Sequence, residues 1–181
     1  MTHMHLLIQV VLLLIVIPAA VFDLRFRRIP NWLVLTGLAL GIGVNAILSG
    51  WQGLRFAGGG FLFGFAVYFV LYLLHAMGAG DAKLMAAIGS IVGASNWLGI
   101  FISTAIIGGV FGLVLLVFKR RLQSTLWNVF YIVSEMVRFR APYMKRPGLD
   151  VKNPEAVTLP HGFTIAVGCM IFLAAGRAVL G

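Results

Sequence analysis

The chain is predicted to be an all-α polytopic membrane protein, with six transmembrane helices in one bundle and an interfacial amphipathic helix before the last of them. Three observations predict this. Of 181 residues, 61% are hydrophobic and 10% charged, and mean hydropathy is +1.02, which is more apolar surface than a soluble core of this size can hide. The apolar residues fall in runs close to the ~20 needed to cross a bilayer. The basic residues gather in alternate connections between those runs, as topology-setting charges do.

The spans are expected at about 5–24, 31–49, 56–77, 82–95, 97–118 and 160–180, with a cytoplasmic segment at 119–159, all in one domain. Span one has no basic region before it and no small-residue cleavage site after it, so it reads as a retained span and not as a signal peptide. After it, Pro30 keeps Ile29 out of the helical region and suits the first turn of the next helix, so the chain turns and re-enters. Span four is short, and Ala86, Ala87, Gly89, Ser90, Gly93 and Ala94 would let neighbouring helices approach closely. In 122–140, Leu122, Leu126, Val129, Phe130, Val133 and Val137 recur near helical spacing, with Arg138 and Arg140 beyond, which predicts the interfacial helix. Pro142, Pro147, Gly148 and Pro154 then mark an irregular loop. Trp32, Trp51, Trp97 and Trp127 all fall near span boundaries, as interfacial anchors do.

Orientation follows from charge. Arg25, Arg27, Arg28, Lys83 and the eight basic residues from Lys119 to Lys152 fall on one side of a six-span arrangement, leaving only Arg55 and Arg177 of the 14 on the other. The rich side is expected to be cytoplasmic, with both termini outward. This bias accounts for the formal charge of +9 and the pI near 10.7 without nucleic acid. Anionic membrane lipids are the natural counter-charge, at about 1 kcal/mol for each basic residue near the surface. The single cysteine, Cys169, excludes an intrachain disulfide and a Cys-rich zinc site, and reads as a small buried residue. His3, His5, His75 and His161 lack metal-ligand spacing. They read as surface, packing or capping residues, and no metal or cofactor is expected.

Of the five acidic residues, Glu135, Asp150 and Glu155 lie in the polar segment, whereas Asp23 and Asp81 lie at the edges of apolar spans and share the cytoplasmic face. An ionisable group costs about 2.5–3.5 kcal/mol or more at bilayer depth, so it is rarely there without a function. Each aspartate also has an ordinary structural role open to it. Asp23 has Arg27 at i,i+4 and a helix to close, and Asp81 precedes a helical run from Ala82 that it would cap. Brought together, the two would share a proton, one carboxylate drawing a proton from water while the other hydrogen-bonds a peptide carbonyl. Such a pair titrates as a unit, so neither residue is assigned as acid or base. Gly78 and Gly80 would give an extended peptide the clearance to approach. Lys83 does not face Asp81 on a helix and reads as a headgroup anchor or as a contact to substrate backbone. No G-x-S-x-G, H-E-x-x-H or G-x-x-x-x-G-K-[ST] pattern occurs, which counts against serine, zinc and nucleotide chemistry. The alternative from another class is a small transporter or proton-relay protein.

Asp23 followed by Arg27-Arg28-Ile29-Pro30-Asn31, and then Gly78-Ala79-Gly80-Asp81-Ala82-Lys83-Leu84-Met85-Ala86-Ala87-Ile88-Gly89, resemble the two signature regions of the type IV prepilin peptidases, membrane aspartic peptidases of the GxGD type. The likeness runs over about residues 15–95, and Pro160-His161-Gly162 at the opening of the last span is similar to the short forms. The resemblance implies that Asp23 and Asp81 are the catalytic pair, with Gly78, Gly80, Lys83, Pro30 and Asn31 binding substrate or shaping the site. It implies cleavage of the basic leader from a prepilin at the cytoplasmic face of the inner membrane, usually after a glycine. The chain begins almost directly with span one and has no C-x-x-C pair. It therefore resembles the compact members that serve tight-adherence (Flp-type) pili, without the N-methylation expected of longer members. Archaeal preflagellin peptidases are also short and share the pattern.

Overall fold

A computed structural model describes residues 6–73, 77–118 and 160–178. Among the described residues there are four α-helices and no strand: α1 (Leu6–Phe26), α2 (Asn31–Leu73), α3 (Ala79–Phe118) and α4 (His161–Ala178). Three stretches, Leu6–Phe26, Asn31–Leu73 and Ala79–Leu115, are long and apolar enough to cross a membrane, and His161–Gly176 is a shorter apolar helix. The expected segment 119–159 with its amphipathic helix lies outside the described residues, as do His75 and Trp127.

The expectation of six separate helices is corrected to four, because two pairs of expected spans join without a loop. Gly50 (φ 55, ψ −131) and Gly93 (φ 74, ψ 167) each break the helical run with a backbone conformation open essentially to glycine alone. As straight rods, α2 and α3 would be about 64 and 60 Å long. Instead each doubles back. A Cβ built on Gly53 would run into the carbonyl of Asn45. Trp97 Nε1 donates to the Met85 carbonyl at 2.9 Å, whereas residues 12 apart on a straight helix are separated by about 18 Å. Sequence patterning anticipates two spans with a loop between them; one glycine at positive φ does the work of that loop. Trp97 is correspondingly not an interfacial anchor. It is fully buried, stacked on Phe101 and edge-on to Phe63 and Tyr68, while Trp32 and Trp51 are exposed.

The first arm of α3 is the centre of the bundle, with every residue from 84 to 93 buried. Its small residues permit this: Gly89 meets Gly60 of α2 backbone to backbone, where a Cβ on either would collide with the other's carbonyl. Asn45 Nδ2 donates to the carbonyls of Gly41 (2.8 Å), Ser90 (3.1 Å) and Ile91 (3.2 Å). It thus supplies donors at the end of the arm that stops at Gly93, where helical partners run out. On α1 the buried residues Ile8, Leu12, Ile15, Ala19 and Asp23 form one stripe at helical spacing. Leu7, Val10, Leu14, Ile17, Val21 and Leu24 are exposed on the other side, apolar all round as a membrane helix is.

Candidate active site

Asp23 is the last member of the α1 stripe, so helix periodicity alone turns it toward the bundle, where it is buried. The helix closes just beyond it. Arg27 takes φ 52 and its N–H donates to the Asp23 carbonyl at 2.9 Å, a left-handed cap that costs a non-glycine residue about 1–2 kcal/mol. The reversed chain brings Ile29 beside α3, where a Cβ on Gly80 would lie 3.6 Å from the Ile29 Cβ. Pro30 then opens α2, its carbonyl accepting from Leu33 N (3.2 Å) and Val34 N (3.4 Å). Helix closure is thus a role of Asp23's backbone, while its carboxylate is engaged elsewhere. Asp23 Oδ2 accepts from Gly162 N at 2.8 Å and Phe163 N at 3.4 Å. These amides belong to the first turn of α4, where N–H groups have no helical partner and the helix dipole favours negative charge.

Asp81 is the third residue of α3 and not the N-cap of a helix beginning at Ala82, because the helix already starts at Ala79. Its Oδ2 reaches back to accept from Gly78 N at 3.3 Å, the arrangement of the N3 acid in a capping box. Ala82 N donates to the Gly78 carbonyl at 3.3 Å and closes the turn. Lys83 Nζ donates to Asn31 Oδ1 at 3.1 Å on the exposed side, so two of the expected site-shaping residues, from α3 and α2, meet directly.

The ends of α1, α3 and α4 therefore converge. Asp23 and Asp81 lie within electrostatic reach of each other; Asp23 also acts on His161, and Asp81 on Tyr68. Tyr68, 1% exposed, stands with its ring centroid 6.3 Å from that of His161. Four elements thus each contribute one polar side chain around the same space. Sequence reasoning passed over Tyr68. Its signal was available: Tyr68 continues a run of small residues, Gly53, Ala57, Gly60 and Gly64, that marks the buried face of α2 at helical spacing. His161 and Gly162 were read as the opening of a span, and their proximity to Asp23 depends on how α4 docks. Among the described residues no three His, Cys, Asp or Glu side chains come together as a metal site requires.

No curated protein and no solved structure shows a significant match to the chain. A family model described as the type IV leader peptidase family matches residues 10–113, more than half of the chain and the part that carries both aspartates. A membrane bundle in which Asp23 and Asp81 lie within electrostatic reach of each other is thereby joined to a family of proteases, and the chain belongs to the type IV leader peptidase family.

Proposed function

We propose that the protein is a membrane aspartic endopeptidase that removes the basic leader from prepilin-like proteins, Flp-type pilins foremost, at the cytoplasmic face of the inner membrane. The observation that carries this reading is that Asp23 and Asp81, from α1 and α3, lie within electrostatic reach of each other in a chain of the leader peptidase family. In this mechanism one carboxylate takes a proton from water as the water oxygen bonds to the scissile carbonyl carbon. The other, protonated, donates to the carbonyl oxygen. The tetrahedral intermediate collapses, the C–N bond breaks, and the amine leaves with the proton drawn from the water. Gly78, exposed beside Asp81, would give an extended peptide room to approach, while Gly80 packs on Ile29, and the Lys83–Asn31 bond ties α3 to the start of α2, which Pro30 opens.

The topology follows the same reading. The two arms of α2 and of α3 are separate spans, which with α1 and α4 make six crossings. Both termini then face outward, and all the basic residues but Arg55 and Arg177 face the anionic inner leaflet. The test is processing in membranes of a co-expressed prepilin with a basic leader, its mature N-terminus read by mass spectrometry. Asp23→Asn and Asp81→Asn should each lower cleavage by about 10³-fold while accumulating normally, since an amide costs less to bury than a charge. Cleavage by both variants sinks the aspartate mechanism. A wild type inactive on every leader-bearing pilin favours the proton-relay reading.

A further inference from the structure

His161 stands in the first turn of α4, directly before the glycine whose amide holds Asp23. Its ring is fixed on one side. Thr164 Oγ1 donates its single proton to the His161 carbonyl at 2.8 Å and lies 3.3 Å from His161 Nδ1. A hydroxyl has only one proton to give, so the Nδ1 contact is made by an Nδ1–H donating to the Thr164 oxygen. In the neutral ring this tautomer leaves Nε2 as an acceptor. Nε2 is buried and has no hydrogen-bond partner among the described residues. A buried polar atom without a partner is uncommon and calls for an explanation. The ring that carries it lies within electrostatic reach of Asp23, directly before the amide that holds that carboxylate, and it borders Tyr68, on which Asp81 acts in turn.

On the reading of the site as an aspartic peptidase, we infer that His161 Nε2 accepts a hydrogen bond from the attacking water and so orients it between Asp23 and Asp81. The water has two O–H bonds. One is cleaved as its proton passes to the ionised carboxylate and its oxygen bonds to the carbonyl carbon. The other stays intact and needs an acceptor, which Nε2 supplies without itself taking up a proton. The proton held by the carboxylate later goes to the leaving amine, so the ring ends the cycle as it began. Thr164 acts through His161 as a positioning residue, since its hydroxyl selects the tautomer.

Three substitutions separate this role from packing. Gln places its amide oxygen near the position of Nε2, Asn reaches only as far as Nδ1, and Phe keeps the ring against Tyr68 but has no acceptor. Steady-state cleavage of a prepilin-like peptide with a basic leader, a glycine and an apolar segment is measured on full-length enzyme in detergent, at matched amounts of monodisperse protein. His161→Phe and His161→Asn should lower kcat by roughly 10- to 100-fold with KM within about twofold, and His161→Gln should stay within about fivefold of wild type. Wild-type kcat in His161→Phe overturns the inference, as does an equal loss in all three variants, which would mark a packing role. Asp23→Asn, measured alongside, keeps the two claims apart. Its inactivity upholds the aspartic reading even where the His161 result fails, whereas its activity overturns both.

Discussion

Asp23 and Asp81 carry the same side chain at the same end of the bundle, yet they are held by different kinds of structure. Asp81 is held locally: its carboxylate bonds to the amide of Gly78, three residues away on the same turn. Asp23 is held across the chain, by Gly162 and Phe163, 139 and 140 residues further on. The first arrangement forms whenever the start of α3 forms. The second exists only once α4 has docked against α1. The site is therefore a local motif completed by a tertiary contact, and its activity should depend unequally on disturbance of its two sides.

With both aspartates left in place, the largest effect should come from prising α4 away. A Cβ on Gly168 would lie 2.8 Å from the Thr104 backbone on α3, so Gly168→Val forces the two helices apart; overpacking of this kind costs about 1–3 kcal/mol. The α4 amides retreat from Asp23, while the Gly78–Asp81 turn is untouched. A displacement on the order of 1 Å at a reacting group can cost about 10²-fold, and that is the loss of kcat expected in the peptide assay. Activity within twofold of wild type would mean that α4 does not position Asp23 for the reaction.

A smaller and more direct comparison uses the two glycines that face the carboxylates. A Cβ on Gly162 would lie 3.0 Å from the Asp23 Cβ and 3.1 Å from Oδ2, with the helix backbone behind it. Among the described residues a Cβ on Gly78 meets Asp81 Oδ2 alone, at 3.2 Å, and Gly78 is exposed and free of helix. Gly162→Ala should lower kcat about tenfold and Gly78→Ala about twofold, since a crowded buried group has less room to adjust. The reverse order, in kcat values measured at saturating peptide, would place the sensitive half of the site on α3.

The same division explains what the sequence reveals. Asp81 was legible because the amide that its carboxylate accepts from lies within the same Gly78-Ala79-Gly80-Asp81 motif, although the motif concealed the helix start at Ala79. Asp23 was legible as a charged residue at the edge of an apolar span, but its partners were not, since nothing in α1 encodes the docking of α4. Hydropathy located the arms of α2 and α3 and missed how they join, because Gly50 and Gly93 look no different in the sequence from the glycines that merely pack. Their positive φ appears only with the backbone in hand. Trp97 misled for a related reason: it lies four residues past a reversal, so a position that counts as a span boundary is folded into the core.

The smallest effect is expected at the rim, where Lys83 and Asn31 meet. Their bond is 3.1 Å long but exposed, and in water such a contact exchanges one hydrogen bond for another, with little net gain. Because the Lys83–Asn31 bond ties α3 to the start of α2 and touches neither carboxylate directly, Lys83→Gln should leave both kcat and KM within about twofold of wild type. Gln at 83 keeps an amide donor and removes the charge, so the substitution asks whether the charge itself matters. A basic leader gains nothing from a lysine beside its path, and losing that charge should not weaken binding. A KM raised about tenfold at unchanged kcat would show that the Lys83 ammonium grips the peptide backbone. The local side of the site would then bind substrate as well as position Asp81, and the division between a self-contained α3 motif and an α4-dependent Asp23 would have to be redrawn at that residue.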